Sequence, residues 1–358
     1  MLIQPFILFL SLAELSRAIK WGMHSESNPL GEFDLIERYF KMGSISANSS
    51  LSLGIGGDCA LIKPFPDEEI AITSDSLVEN RHFFAGSDPG QLGRKARAVN
   101  LSDLAAIGAK PLGFTLAIVL PVVDTQWLTG FPKGLLAMAH EYSCPLIGGD
   151  TTAGPLTISI TAIGSAPQKA LFKSWANIGD DIWVSGTVGD ARLALAALRH
   201  EIHLSRQDLE SIAHRMHQPT PRVELGIALR GIANAALDIS DGLLGDLKLI
   251  LKQSKVDAQI FLNALPISPT LQKHSTEIQN QFAASGGNDY ELCFTAAKNQ
   301  HTTIEQISKS LNIPITCIGQ IHAMEKTSPQ VHIVGRDGVT LGDKETTALL
   351  KSFDHFSI

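Results

Sequence analysis

The chain has 358 residues, of which 44% are hydrophobic and 18% charged, with a formal net charge of −7. This length predicts two domains of roughly 150–200 residues, and the composition is typical of a packed globular protein rather than a disordered one. The acidic balance, without any dense block of Lys or Arg, argues against a protein that binds nucleic acid through a basic surface.

The first thirty residues differ from the rest of the chain. Residues 2–13 form an apolar run that is too short to span a bilayer. No Lys or Arg precedes the run and no clear cleavage site follows it, so the segment does not fit the pattern of a secretory signal peptide. We expect residues 1–30 to be an N-terminal extension to the folded part, with translation starting at Met23 rather than Met1, so that the residues before Met23 would not be native. Residues 32–41 carry apolar side chains at helical spacing and predict the first folded helix.

Residues 44–164 predict a mixture of strands and helices. A Ser/Asn-rich loop at 44–52 precedes short apolar runs at 60–62 and 70–73 that indicate strands. Helices are expected at 93–109 and 127–142. Strands are expected at 113–123, 145–147 and 156–164, the last two on either side of a GGDTTAGP turn.

A polar, Pro-containing segment at 166–181 separates this part from a second series of elements. We place the domain boundary there, with domains at 31–166 and 167–358. Helices are expected at 190–200, 222–232, 243–254 and 304–311, and a β-rich tail from 315. Strands and helices alternate, but many strands look like antiparallel pairs, so the pattern favours an α+β fold over a doubly wound sheet.

Six aspartates lie beside small residues where predicted elements end: Asp58, Asp75, Asp103, Asp150, Asp238 and Asp241. Glycine lets the backbone approach a phosphate closely, and aspartate supplies the hard anionic oxygens that suit Mg²⁺. Taken singly, Asp103 or Ser240 could be a helix N-cap, and Asp58 or Asp150 a turn residue. Two carboxylates at about 6 Å repel by roughly 3 kcal/mol at an effective dielectric near 20, so a convergent set would require cations.

Other catalytic arrangements have no counterpart in the sequence. There is no GxxxxGK[ST] loop, no protein-kinase catalytic-loop signature and no recognisable nucleophile–base pair. The four cysteines, Cys59, Cys144, Cys293 and Cys317, form no CxxC pair, so neither a zinc site nor a disulfide framework is expected. Metal-assisted phosphoryl transfer is the chemistry that the aspartates favour.

Taken together and in order, several motifs resemble the thiamine-monophosphate kinase family, which shares its architecture with aminoimidazole ribonucleotide synthetase. The motifs are GIGGDCALI, TSDSLVENRHF, NLSDLAAIGAKP, LIGGDTTAGPLTISITAIG, LDISDGLLGDL and SGGNDYELCFT, and the resemblance runs from Gly31 to Phe353. It implies a two-domain α+β fold, in which an N-terminal mixed-sheet domain binds ATP and Mg²⁺ and dimerises. A C-terminal α/β domain would complete the active site.

The same resemblance implies a cytoplasmic homodimeric enzyme that uses ATP and several Mg²⁺ ions to convert thiamine monophosphate to thiamine diphosphate by direct in-line transfer. No catalytic side chain, nucleic acid or membrane is implied. The implied metal-site residues are Asp58, Thr73, Ser74, Asp75, Asp103, Asp150, Asp238 and Asp241. The implied ATP contacts are Gly149, Asp150, Lys173 and Ser240, and the implied substrate contacts are His82, Asn288 and Phe353.

Three positions depart from the family pattern. Gly57 stands where a second acid is usual, Lys173 where an arginine is usual, and Asn288 where a glutamate is usual. An amide cannot neutralise the cationic thiamine portion, and losing that charge would cost roughly 1–3 kcal/mol in a desolvated contact. We therefore expect a raised Michaelis constant for thiamine monophosphate.

Two alternatives remain open at this stage. The chain could be another ATP-using enzyme of the same superfamily, although Cys59, the nearest candidate for a reactive cysteine, reads as a strand residue. It could instead be a non-catalytic protein that binds nucleotide or thiamine phosphate. Such a binding protein would not require all the aspartates.

Overall fold

The computed structural model describes residues 31–41, 51–53, 55, 59–63, 65–168 and 175–351. The predicted site residues Asp58, Lys173 and Phe353 lie outside these ranges, as do Gly57 and the N-terminal segment with Met23. Among the described residues, no helix is both long enough and apolar enough to cross a bilayer.

The first half of the chain forms a four-stranded mixed sheet with helices on its inner face. Its strands are β3 (Glu68–Val78), β4 (Lys110–Leu120), β5 (Leu146–Ala153) and β6 (Thr157–Pro167), in the order β3-β6-β4-β5. Strands β4 and β5 are parallel and the other pairs antiparallel. The helices are α1 (Glu32–Leu35), which continues as a π-helical segment (Ile36–Lys41), α2 (Pro89–Ala106) and α3 (Thr125–Glu141). Strands β1 (Leu51–Leu53) and β2 (Leu61–Ile62) form a separate antiparallel pair.

The second half forms a six-stranded mixed sheet in the order β12-β9-β11-β7-β10-β8. Its strands are β7 (Asp181–Ser185), β8 (Ala233–Asp238), β9 (Val256–Phe261), β10 (Leu292–Ala296), β11 (Ile315–Ala323) and β12 (Val331–Val334). Its helices are α4 (Asp190–Leu198), α5 (Arg206–His217), α6 (Val223–Ala228), α7 (Leu243–Ser254), α8 (Thr276–Ser285), α9 (His301–Leu311) and α10 (Asp343–Leu349). Only β9 and β12 pair in parallel among these strands. The two mixed sheets confirm the predicted α+β class.

Helix α2 connects the two halves. Asp88 caps its start, where the carboxylate accepts the N–H of Gln91, and Pro89 occupies the first turn, where a missing N–H has no cost. One side of α2 packs on the four-stranded sheet, and the other joins an apolar cluster with Leu225 and Phe294 of the second half. At Gly226 of α6 a Cβ would lie 2.0 Å from the Ala105 carbonyl oxygen, so only glycine permits this approach.

The positions of three aspartates correct the sequence-based expectation. Asp75 lies inside β3, Asp103 inside α2 and Asp150 inside β5, so none of them is a turn residue or an N-cap. The GGDTTA segment is strand because it pairs residue by residue with β4. Its glycine serves strand packing, since a Cβ on Gly149 would lie 1.9 Å from the Leu116 carbonyl oxygen.

Candidate active site

A cavity of about 600 Å³ lies between the two halves of the chain. Its walls come from β3, α2, the turn after β8 and the loop before β10. The predicted site residues that line it are Ser74, Asp75, His82, Asp103, Asp238, Ser240, Asp241 and Asn288. The fold therefore brings residues that are far apart in the sequence to one cavity.

Asp75 and Asp103 form the first acidic pair. Thr73 and Asp75 share the inner face of β3. Ser74 lies on the opposite face of this edge strand, at the border of the cavity, and its hydroxyl lies 3.0 Å from that of Thr161. The Thr73 hydroxyl donates to Asp103, and the Asn100 amide donates to Asp75. Burial, and next the charge of Asp103, raise the pKa of Asp75 to about 7. The two carboxylates therefore repel each other, and the hydrogen bond from Asn100 offsets only part of the rise in the pKa of Asp75.

Asp238 and Asp241 form the second acidic pair, on the turn between β8 and α7. Asp246 in the first turn of α7 holds this turn, because its Oδ2 accepts the N–H groups of Ser240, Asp241 and Gly242 at 3.0, 3.0 and 3.1 Å. Sequence reasoning missed Asp246. The signal was available, since an acid placed four residues after Gly242 can satisfy the exposed N–H groups at a helix start.

Tyr290 shows that the two pairs converge. Burial, followed by the charges of Asp238, Asp75, Asp103 and Asp241, raises the pKa of its phenol well above the usual value. No three described His, Cys, Asp or Glu side chains form a ready-made metal site. The donor chemistry nevertheless fits Mg²⁺, because hard carboxylate oxygens face one cavity and the Asp75–Asp103 repulsion favours a cation beside them.

Gly149 and Asp150 do not line this cavity. Asp150 on β5 is in register with Ala117 on β4, Ser159 on β6 and Ser76 on β3. Three inter-strand steps of about 4.8 Å separate β5 from β3 by ~14 Å. Their assigned roles stay predictions, as do those of Asp58, Lys173 and Phe353.

The loop at 286–291 carries Asn288 and is anchored by a buried acid, Glu291. Its Oε1 accepts from Arg215 at 2.7 Å and from Arg222 at 2.5 Å, and its Oε2 accepts from Ser185 at 2.5 Å. A Cβ on Gly186 would lie 2.1 Å from the Glu291 carboxylate, so glycine leaves the space for it. The two arginines come from α5 and the residue before α6, and no sequence motif indicated them.

Asp289, a second buried acid in this loop, differs from Glu291 in its protonation, because its pKa is raised. Its Oδ2 accepts the Gly189 N–H at 2.9 Å, and burial raises its pKa to about 8. The Asp289 carboxyl is therefore mostly protonated at neutral pH, so the loop does not bury a second carboxylate charge beside the ion pairs of Glu291 with its arginines.

Lys95 contacts both predicted substrate residues in the described part of the chain. Its Nζ donates to the His82 carbonyl oxygen at 3.3 Å and to the Asn288 Oδ1 at 3.4 Å. Asn288 has φ of +66°, in the left-handed region where asparagine is favoured among non-glycine residues, and its N–H donates to the Ser240 carbonyl at 2.7 Å. Lys95 was not predicted, although its spacing of eight residues from Asp103 places both on one helix face.

Comparisons with known proteins identify the family. The model of the AIR synthase related protein N-terminal domain matches residues 56–166, and the model of the C-terminal domain matches residues 177–332. The thiamine-monophosphate kinase of Haemophilus influenzae is 44% identical over 333 residues, which cover 91% of this chain and 98% of that protein. The chain belongs to the thiamine-monophosphate kinase family.

Further relatives and solved structures indicate the same family. The Escherichia coli K12 thiamine-monophosphate kinase is 42% identical over 330 residues, covering 91% of this chain and 98% of that protein. The crystal structure of the Stenotrophomonas maltophilia kinase matches with a TM-score of 0.75 and 42% identity, covering 82% of this chain and 93% of that one. AaThiL complexed with AMPPCP and TMP matches with a TM-score of 0.70 and 26% identity, covering 93% and 100%.

Asp75→Asn is expected to flatten the pH dependence of stability in metal-free protein. The folded-state pKa of Asp75 is about 7, against an ordinary value of 3.8. The folded state therefore binds the extra proton between these values, and its stability falls as pH rises through this window. Melting temperatures measured in EDTA between pH 4 and pH 8 should fall more steeply for wild type than for the variant. Asp67→Asn, at an exposed turn, is the control, and equal slopes for Asp75→Asn and wild type would contradict this assignment.

Glu291→Gln is expected to lower the free energy of unfolding by about 3–5 kcal/mol, because two arginines would lose their buried counter-charge. Urea denaturation measures the change. Glu210→Gln is the matched control, since Glu210 pairs with Arg206 at 2.7 Å on the surface and such pairs contribute about 0.5 kcal/mol or less. A loss for Glu291→Gln no larger than the control's would show that the anchor is not essential.

Proposed function

We propose that this chain transfers the γ-phosphoryl group of ATP to thiamine monophosphate in a Mg²⁺-dependent reaction, giving thiamine diphosphate and ADP. The observation that carries the proposal is the convergence of Asp75, Asp103, Asp238 and Asp241 around Tyr290, in the cavity that His82 and Asn288 also line. The thiamine-monophosphate kinase relatives, and AaThiL with its ATP analogue and TMP, support the choice of substrates.

The chemistry requires positioning and charge neutralisation more than a side-chain nucleophile. Bound Mg²⁺ would neutralise the phosphate oxygens of ATP and polarise the γ-phosphoryl group. Asp75, Asp103, Asp238 and Asp241 would hold it, and Thr73, through its hydroxyl contact, would keep Asp103 in place. The acceptor is a phosphate oxygen that is already ionised at neutral pH, so no side chain is required to remove a proton from it.

Further roles rest on position in the family's motifs. Asp58, Ser74 and Asp150 are proposed as additional metal-site residues, Gly149, Asp150, Lys173 and Ser240 as ATP contacts, and Phe353 as a substrate contact. We also propose the division into domains at 31–166 and 167–358. A cytoplasmic location is proposed as well, and the four free cysteines are consistent with it.

A homodimer formed through the outer face of the four-stranded sheet is part of the proposal. That face presents Ile70, Ile72 and Val78, which are 41%, 68% and 38% exposed. The small polar Ser74 and Ser76 lie on the same face of β3, between Ile72 and Val78. A flat face that combines exposed apolar and small side chains suits packing against its own copy across a two-fold axis.

Purified protein with ATP, Mg²⁺ and thiamine monophosphate is expected to yield thiamine diphosphate and ADP in equal amounts, with turnover abolished by EDTA. Asp103→Asn should lower kcat at least 100-fold, because it removes one carboxylate from the metal site. Asp67→Asn is the control with full activity. ATP binding without turnover by wild type would overturn the proposal and favour the non-catalytic alternative.

Ile72→Glu is expected to convert the dimer into a monomer, because a buried, unpaired carboxylate at the centre of the interface is strongly unfavourable. Light scattering coupled to size-exclusion chromatography measures the mass. Val339→Glu changes a similarly exposed residue in the second half, 62% exposed against 68% for Ile72, and should leave the dimer intact. A dimeric Ile72→Glu protein would assign the interface to another surface.

A further inference from the structure

We propose that Lys95 binds the phosphate group of the acceptor substrate. The inference rests on the proposed function and adds a specificity-determining residue to it. Lys95 would distinguish a phosphorylated acceptor from the same molecule without its phosphate.

The first argument is position along α2. Lys95, Val99 and Asp103 are spaced by four residues, and all three line the cavity. Eight residues of α-helix span about 12 Å along the axis. One helix face thus places a cation at one end of the cavity and a metal-site carboxylate at the other. This separation leaves room for the donor and acceptor phosphoryl groups in line between them.

The second argument is charge. Lys95 is only 4% exposed, and no described Asp or Glu forms an ion pair with it. Its two partners, the His82 carbonyl and the Asn288 amide oxygen, are both neutral. Burial lowers its pKa to about 8, so the amine is mostly protonated at neutral pH. Burial, and next the charge of Lys95, lower the pKa of His217.

An uncompensated buried ammonium is unfavourable unless an anion binds beside it. Other cations line the cavity, but Arg192, for example, already pairs with Glu201 at 2.7 Å and lies 4.8 Å from the Phe282 ring centre. Lys95 differs because its neighbours are the two predicted substrate residues. A monophosphate ester is the anion that the proposed reaction brings to this end of the cavity.

Asn288 has a specific consequence in this arrangement. A carboxylate at position 288 would lie beside the Lys95 ammonium and neutralise it. The amide that is present accepts a hydrogen bond and leaves the full positive charge for the ligand. Asn288 in place of the family's glutamate therefore removes a negative charge from the contact with the thiamine portion. It also strengthens the attraction of Lys95 for the phosphate.

The alternative is a structural role, in which Lys95 only ties the His82 segment to the Asn288 loop. The two roles predict different ligand dependence. A structural lysine affects every ligand of the cavity, whereas a phosphate-binding lysine affects only the ligand that carries a phosphate.

Calorimetric titration of the full chain with thiamine monophosphate and with thiamine tests the proposal. Lys95→Gln is expected to weaken thiamine monophosphate binding by about 10- to 100-fold and to leave thiamine binding within about twofold, because one hydrogen bond to a charged group is lost. Lys95→Arg, which keeps the charge, should retain most of the preference. Lys133→Gln removes the same charge from an exposed position on α3 and is the matched control.

Asn288→Glu provides a second variant that leaves Lys95 in place. It should lower the ratio of thiamine monophosphate affinity to thiamine affinity, because the new carboxylate neutralises the lysine. An equal loss for both ligands in Lys95→Gln, or an unchanged ratio in both variants, would overturn the inference. A wild-type protein that does not convert thiamine monophosphate would overturn the proposed function itself, so the two failures are distinguishable.

Discussion

The repulsion between carboxylates that face one cavity is the constraint on which the rest of the site depends. Asp75 and Asp103 come from a strand and a helix that pack against each other, so the packing of the backbone keeps the two carboxylates close. Their positions depend on α2, which is buried between the two sheets, and on Gly226, which allows α6 to approach it. The proposed metal site would thus be obtained at the expense of stability in metal-free protein.

The opposite wall of the cavity depends on a different interaction. Glu291 and its two arginines hold the loop that carries Asn288 and Tyr290, and Asp246 holds the turn that carries Asp241. These acids lie behind the cavity-lining residues and give them fixed positions. Lys95 places a positive charge in the same cavity as the four aspartates, which fits the proposed division into a region for metal cations and a region for an anion.

Sequence reasoning succeeded where a local pattern repeats or where several motifs keep their order. It predicted the α+β class, the helices around residues 93–109 and 127–142, and the family. It was wrong about the turns, because small and polar residues such as those of GGDTTA fit a strand as well as a turn when a neighbouring strand approaches closely. It missed Arg215, Arg222 and Lys95, since nothing in a single sequence shows which cations face a distant acid.

The sequence by itself determined the residue types of the site and the family to which the chain belongs, because aspartates in a fixed order of motifs are visible without coordinates. Only the tertiary structure decided which of them share a cavity and what stands beside them. Asp75, Asp103, Asp238 and Asp241 converge, whereas Asp150 lies on a distant edge strand. The reason is physical: pairing of strands and packing of α2 are long-range contacts, and they alone place a lysine beside Asn288.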